Sequence, residues 1–188
     1  MNDLRRQLLA DFVDYAVQYP DESATAREFA GFLGSDASVF ERAHAVGHFT
    51  GSAWLVSADG RRVLLTHHRK LDRWLQPGGH YEDAPAFHHS AMREAEEETG
   101  VTRLTLHPWH RQSDLPFVID SHDVPGKASR NEPPHIHHDL QYLFVADPAL
   151  PLVAQLEEVN AAQWCDASRL AEFAPKAVDR LSTVAALG

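Results

Sequence analysis

Between Gly79 and Val101 the chain concentrates side chains able to do ionic chemistry, above all Arg93-Glu94-Ala95-Glu96-Glu97-Glu98. On a helix, Glu94, Glu97 and Glu98 stand at i, i+3 and i+4 and project from one face. Three like charges there repel by a few tenths of a kcal/mol per pair. Two readings follow. The residues form a solvated acidic face, or they converge in a cleft on a cation. Carboxylate oxygens select hard ions, Mg²⁺ or Mn²⁺. The other face carries Phe87, Ala91 and Ala95 at four-residue spacing, which suits docking on a sheet.

A second group is imidazole-rich. The chain has 13 histidines, clustered at His67-His68, His88-His89 and His135 with His137-His138. If residues 136–146 form a strand, His135, His137 and Asp139 share one face at period two. Two imidazoles and a carboxylate suit an additional transition metal, or phosphate binding. The alternative is a polar strand end. His80, just before the helix, is placed to join the same cleft. Lys70 and Arg73 are the local cations that could meet phosphate oxygens; the alternative is solvated surface. Trp74 is read as a core residue, His88 and His89 as surface, and the single cysteine, Cys165, as a buried structural thiol.

The elements that must position these groups are legible in part. Leu4, Leu8, Phe12 and Ala16 recur every four residues before Pro20, and a second helix is expected over 24–33, closed by Gly34. Strands are expected at 48–57 and 62–67, joined by the Ala58-Asp59-Gly60 turn. Gln76-Pro77-Gly78-Gly79 reads as a loop. A helix is expected over 85–98, with Pro85 in its first turn and Gly100 beyond its end. Further strands are expected at 103–109, 116–122, 136–146 and 160–165, with a polar loop over 125–134. From Ala167 the tail reads as helical, broken near Pro175. This pattern predicts an α/β sandwich with a mixed sheet. No linker is evident, so residues 1–45 form a helical N-terminal extension and 46–188 the main globular unit.

Composition narrows the function classes. A net charge of -10 disfavours long nucleic acids but admits a small anion whose charge a metal offsets. One cysteine precludes an internal disulfide and fits a cytoplasmic setting. No stretch approaches the roughly 20 apolar residues of a membrane span. Monomer and homodimer both stay open.

The run from Gly79 through Arg93-Glu94, Glu97-Glu98, Gly100 and Val101 resembles the signature of the Nudix hydrolase family. The flanking Trp74-Leu75-Gln76-Pro77-Gly78-Gly79-His80 and Glu132-Pro133-Pro134-His135-Ile136-His137-His138-Asp139 resemble one of its subgroups. The resemblance implies a Nudix-like α/β/α sandwich and hydrolysis of a diphosphate linkage in a small molecule, such as a nucleoside diphosphate derivative. It implies that Glu97 and Glu98 are principal metal ligands, with Gly79 beside them. Glu94 would be a further ligand or the base, with Glu132 a second candidate base. Arg93 and Gly100 would be structural. One position departs: Pro85 stands where the family has its first Glu, and Glu82 is out of register. That departure leaves a ligand-binding module with a degenerate signature as the alternative. An isopentenyl-diphosphate isomerase, which shares the fold, is less favoured, because the sole cysteine falls late in the chain.

Overall fold

The structure, a computed structural model, describes residues 3–112, 115–126, 132–155, 159–172 and 174–185. Its centre is a parallel pair, β1 (Gly47–Val56) and β7 (His135–Val145), in register from Gly47↔Ile136 to Val56↔Val145. All other pairings are antiparallel. β6 (Val118–Val124) and the short β5 (Thr105–Leu106) pair with β7, and β2 (Arg62–His68) pairs with β8 (Val159–Asp166). The sheet is therefore mixed, as expected.

Alternation along β1 builds two layers. Phe49, Ala53 and Leu55 face one core, which they share with α1 (Asp3–Gln18), α2 (Ser23–Leu33) and α3 (Phe87–Thr99). Trp54 and Val56 face the other, with Val63, Leu65, Leu143, Leu170 and Ala177 beneath α4 (Pro175–Ala185). The N-terminal helices belong to the first core: Leu8, Phe12 and Phe29 are fully buried, and Phe12 and Phe29 pack on Phe49.

The sheet forks between β1 and β2. These strands pair only at Leu55↔Leu64 and Val56↔Val63. Beyond that point β2 continues with β3 (Arg73–Leu75), and β1 with β4 (Gly78–His80). The sequence reading made Gly78 and Gly79 loop; they form the paired strand β4 instead. Glycine permits this because a Cβ on Gly78 would lie 2.2 Å from Ser52 Oγ on β1.

Other boundaries also shift. α3 starts at Phe87, leaving Pro85 outside, because Ala86 is extended and Phe87 stacks on Tyr81 at 4.8 Å. The strand expected at 103–109 shrinks to Thr105–Leu106, since Arg103 has φ 65° and Pro108 opens a 3-10 turn that cannot extend the ladder. Residues 127–131 of the expected polar loop lie outside the described residues. Gly100 ends α3 in the left-handed region at φ 69°, its N–H donating to Glu96 O.

His110 predicts an acid sensitivity of the fold. Its Nε2 accepts the Leu143 N–H at 3.0 Å, and burial, with lesser contributions from His88 and His107, pulls its pKa down to about 3. The unfolded chain takes up this proton near pH 6.5; the folded chain resists until about pH 3. The stabilisation is complete above pH 6.5 and is lost as pH falls towards 3, at up to ~1.4 kcal/mol per pH unit. Urea denaturation of His110→Gln should show a slope shallower by about that amount between pH 6 and 4. An unchanged slope would contradict it.

Candidate active site

α3 lies over the sheet fork. Gly51 on β1 faces Ala91 and Phe87, so the helix backbone comes close to the strand. Further along the helix, Glu94 meets one branch: a Cβ on Gly79 of β4 would stand 2.4 Å from the Glu94 carboxyl carbon. Glu98 meets the other, accepting the Thr66 hydroxyl of β2 at 3.3 Å. Glu94 is 8% and Glu98 3% exposed, whereas Glu97 is exposed. The acidic face is thus two nearly buried carboxylates and one at the surface. This replaces the surface-facing Glu98 implied by a solvated helix.

Arg93 ties the group together. It donates to Glu94 at 2.8 Å, to Glu97 at 3.0 Å and to the carbonyl of His80 at 3.2 Å. Glu82 lies 3.6 Å from the same guanidinium but is largely exposed, consistent with its position out of register. Burial lowers the proton affinity of Arg93, and the Glu94, Glu97 and Glu82 charges more than restore it, so the net shift is upward.

These residues fit a hard divalent cation in donor chemistry. All are carboxylate oxygens, two are held away from bulk water, and Gly79 leaves the space a side chain would fill. Gly79→Ala should push the Glu94 carboxylate out of place. The expected result is a fall in turnover of about tenfold or more, with a stability loss of about 1–3 kcal/mol. Wild-type kinetics in that variant would remove Gly79 from the account.

The histidines gather on the opposite face of β4. Cross-strand rows put His48 of β1 beside His137 of β7 and His122 of β6, and His80 of β4 beside Thr50, which in turn pairs with Asp139. Ring centroids of His48 lie 5.0 Å from His80, 5.1 Å from His135 and 4.7 Å from His137. Burial, reinforced by the neighbouring rings, pulls His48 down to about 3 and His137 to about 2. Burial also pulls His80 to about 4; Arg42, His135 and Lys70 act with it, and Glu132 acts against it.

The expected sets are therefore divided. Glu94, Glu97, Glu98, Arg93 and Gly79 come together, and His80, His135 and His137 form a second group across β4. Asp139 does not join His135 and His137 as a ligand. Its carboxylate is fully buried one row away and accepts the Thr50 and Ser52 hydroxyls at 2.9 and 3.0 Å; burial raises its pKa. Lys70 and Arg73 are exposed on the β2–β3 hairpin. Trp74 packs against the second core, as expected. Glu132 comes within 3.9 Å of His135. His88 is a correction: it is 8% exposed beside Tyr142, because its helix position faces the sheet, while His89 is exposed. Cys165 is only half-buried, lining a small cavity with Trp74 and Arg169.

His48, Thr66 and Arg42 were missed by the sequence reading. The alternation His48, Thr50, Ser52 on β1 was a usable signal, because three polar residues at period two mark one polar strand face. Thr66 and Arg42 carry no local signal.

The molecule is an α/β sandwich with paired carboxylates on a helix at a sheet fork. The NUDIX domain profile matches residues 48–187, and the chain belongs to that family. It is a hydrolase of diphosphate bonds. No curated relative matches the chain. Among solved structures, it is similar to a NUDIX family hydrolase from Clostridium perfringens at 25% identity and TM-score 0.50, covering 73% of this chain and 97% of that one. A C. elegans Ap4A hydrolase matches at 17% identity and TM-score 0.53, covering 74% and 98%. An E. coli dihydroneopterin triphosphate pyrophosphohydrolase matches at 16% identity and TM-score 0.53, covering 74% and 96%. At the two lower identities the likeness shows the fold.

Proposed function

We propose that the chain is a Mg²⁺- or Mn²⁺-dependent pyrophosphohydrolase cleaving a diphosphate linkage in a nucleoside diphosphate derivative or a similar small molecule. One observation carries the reading. Glu94 and Glu98, an i, i+4 pair, are both nearly removed from water at the sheet fork, where one side of α3 sets their carboxylates against Gly79 on one branch and Thr66 on the other.

In this reading Glu97 and Glu98 would hold the metal, with Gly79 beside them. A bound divalent ion offsets diphosphate charge and makes water more acidic. The protein's own residues do the rest. Arg93 fixes the rotamer of Glu94, which serves as a further ligand or as proton acceptor for the attacking water. The same guanidinium grips the His80 carbonyl and so holds β4 against α3. Thr66 orients Glu98 from the far branch of the fork. Arg42 and Lys70, whose charges reach His80, supply positive potential to an incoming anion in an otherwise acidic protein.

A release assay tests this on nucleotide sugars, dinucleotides and oxidised nucleoside triphosphates, with Mg²⁺ and Mn²⁺ compared. Turnover of at least one class, lost in Glu97→Gln, is the expected result. Absence of turnover across the panel with nucleotide binding retained would favour the ligand-binding module, for which Pro85 at the first acidic position speaks.

A further inference from the structure

His48 is a buried ring whose polar atoms have no partner. It is 1% exposed, and neither ring nitrogen has a hydrogen-bond partner. Burying a polar ring without partners costs on the order of 1–3 kcal/mol. Packing His48 as a neutral aromatic ring leaves that cost standing.

The surroundings indicate what would remove it. Among the described residues, His48, His135 and His137 form the one group whose ligand atoms all lie within 4.8 Å of one another. His135 Nε2 and His137 Nε2 are 3.2 Å apart. Two nitrogens on a tetrahedral zinc ion, each at about 2.05 Å, stand about 3.3 Å apart. The His135 tautomer is also set, because its Nδ1 lies 2.9 Å from the Pro133 carbonyl and donates to it. That leaves the Nε2 lone pair aimed into the cluster, the outer-shell arrangement usual for ligating histidines.

We propose that His48, His135 and His137 form a binding site for a borderline transition-metal cation of the Zn²⁺ class, separate from the carboxylate site. Nitrogen donors select Zn²⁺, Co²⁺ or Ni²⁺ over Mg²⁺. The strands supply rigidity: His48 and His137 are direct cross-strand partners on the central parallel pair, and His135 lies two residues before His137 on the same strand. Three protein ligands leave a fourth position for water or an anionic oxygen of a ligand. The Glu132 carboxylate lies 3.9 Å from His135 Nε2, at the edge of this cluster. Asp139 is committed to Thr50 and Ser52 and is not part of the set.

The test uses the full chain stripped with chelator and titrated with Co²⁺, whose visible absorption reports tetrahedral nitrogen ligation. One equivalent should bind with tetrahedral bands, and Zn²⁺ should displace it. His137→Gln should weaken binding on the order of 100-fold or more and remove the bands, while Glu98→Gln should leave them unchanged. Circular dichroism establishes that each variant is folded. Should His137→Gln fail to fold, imidazole ¹⁵N shifts in the wild-type chain give the same answer: Zn²⁺ should move those of His48, His135 and His137. No tetrahedral bands in the wild type, bands that survive His137→Gln, or bands lost in Glu98→Gln would overturn the site. None of these readouts depends on substrate turnover, so they leave the hydrolase reading to stand or fall separately.

Discussion

Glu98→Gln is expected to lower turnover by a factor on the order of 100 to 1000 while leaving the protein as stable as the wild type, or slightly more so. The two halves of this result have different causes. Activity falls because the amide cannot supply the charge that holds a divalent cation. Stability holds because the amide oxygen can still accept the Thr66 hydroxyl. It should even rise, because Glu94 and Glu98 are like charges at i, i+4, both nearly buried, and neutralising one relieves about 0.5 kcal/mol of repulsion. Stability gained with function lost is the signature of residues placed for chemistry. Steady-state kinetics and thermal melts on the same preparation check both halves. Full activity, or a collapse in melting temperature, would contradict the assignment of Glu98.

Arg180→Ala is expected to cost about 3–5 kcal/mol and to lower Tm by about 10 °C or more. The guanidinium is 7% exposed on α4. It donates to the carbonyl of Phe117, to Tyr15 Oη at 2.7 Å and to Glu22, and it lies over the Tyr19 ring at 3.7 Å. Tyr15 passes the connection on, donating to Glu22 and accepting the Ile119 N–H. The C-terminal helix, the N-terminal helix and β6 therefore share one buried charge network. Removing its centre leaves the half-buried Glu22 carboxylate with the Tyr15 hydroxyl but without its guanidinium partner, so the loss exceeds that of a surface ion pair. Arg180→Lys should recover only a fraction, since an ammonium cannot stack and donate in several directions at once. Urea denaturation gives the number; a loss below about 1 kcal/mol would mean the network is solvated.

Much of the fold was legible because its cues were local. Four-residue spacing marked α1, Asp59-Gly60 marked the β1–β2 turn, and Gly100 marked the end of α3. The carboxylate helix was legible too, since periodicity alone places Glu94, Glu97 and Glu98 together. What failed depended on partners distant in sequence. Gly78 and Gly79 read as loop because the reason for a strand lies in Ser52 and Glu94. Asp139 shares a strand face with His135 and His137, but its hydrogen bonds go to Thr50 and Ser52, and the side chain that gathers with the two imidazoles is His48 from β1. Strand periodicity gave the face; only the parallel register with β1 could give the third residue. The same holds for Glu98, whose hydrogen-bond partner Thr66 lies on the other branch of the fork.

At the carboxylate helix the proposed reaction is metal-assisted attack of water on phosphorus. It is tested most directly by running the reaction in H₂¹⁸O, with the best substrate from the panel, in Mg²⁺ or Mn²⁺ and again in excess chelator. Turnover is expected only with the metal, with a single ¹⁸O in one phosphate-bearing product per cleavage. Undiminished turnover in chelator, or label appearing on carbon rather than on phosphorus, would contradict it.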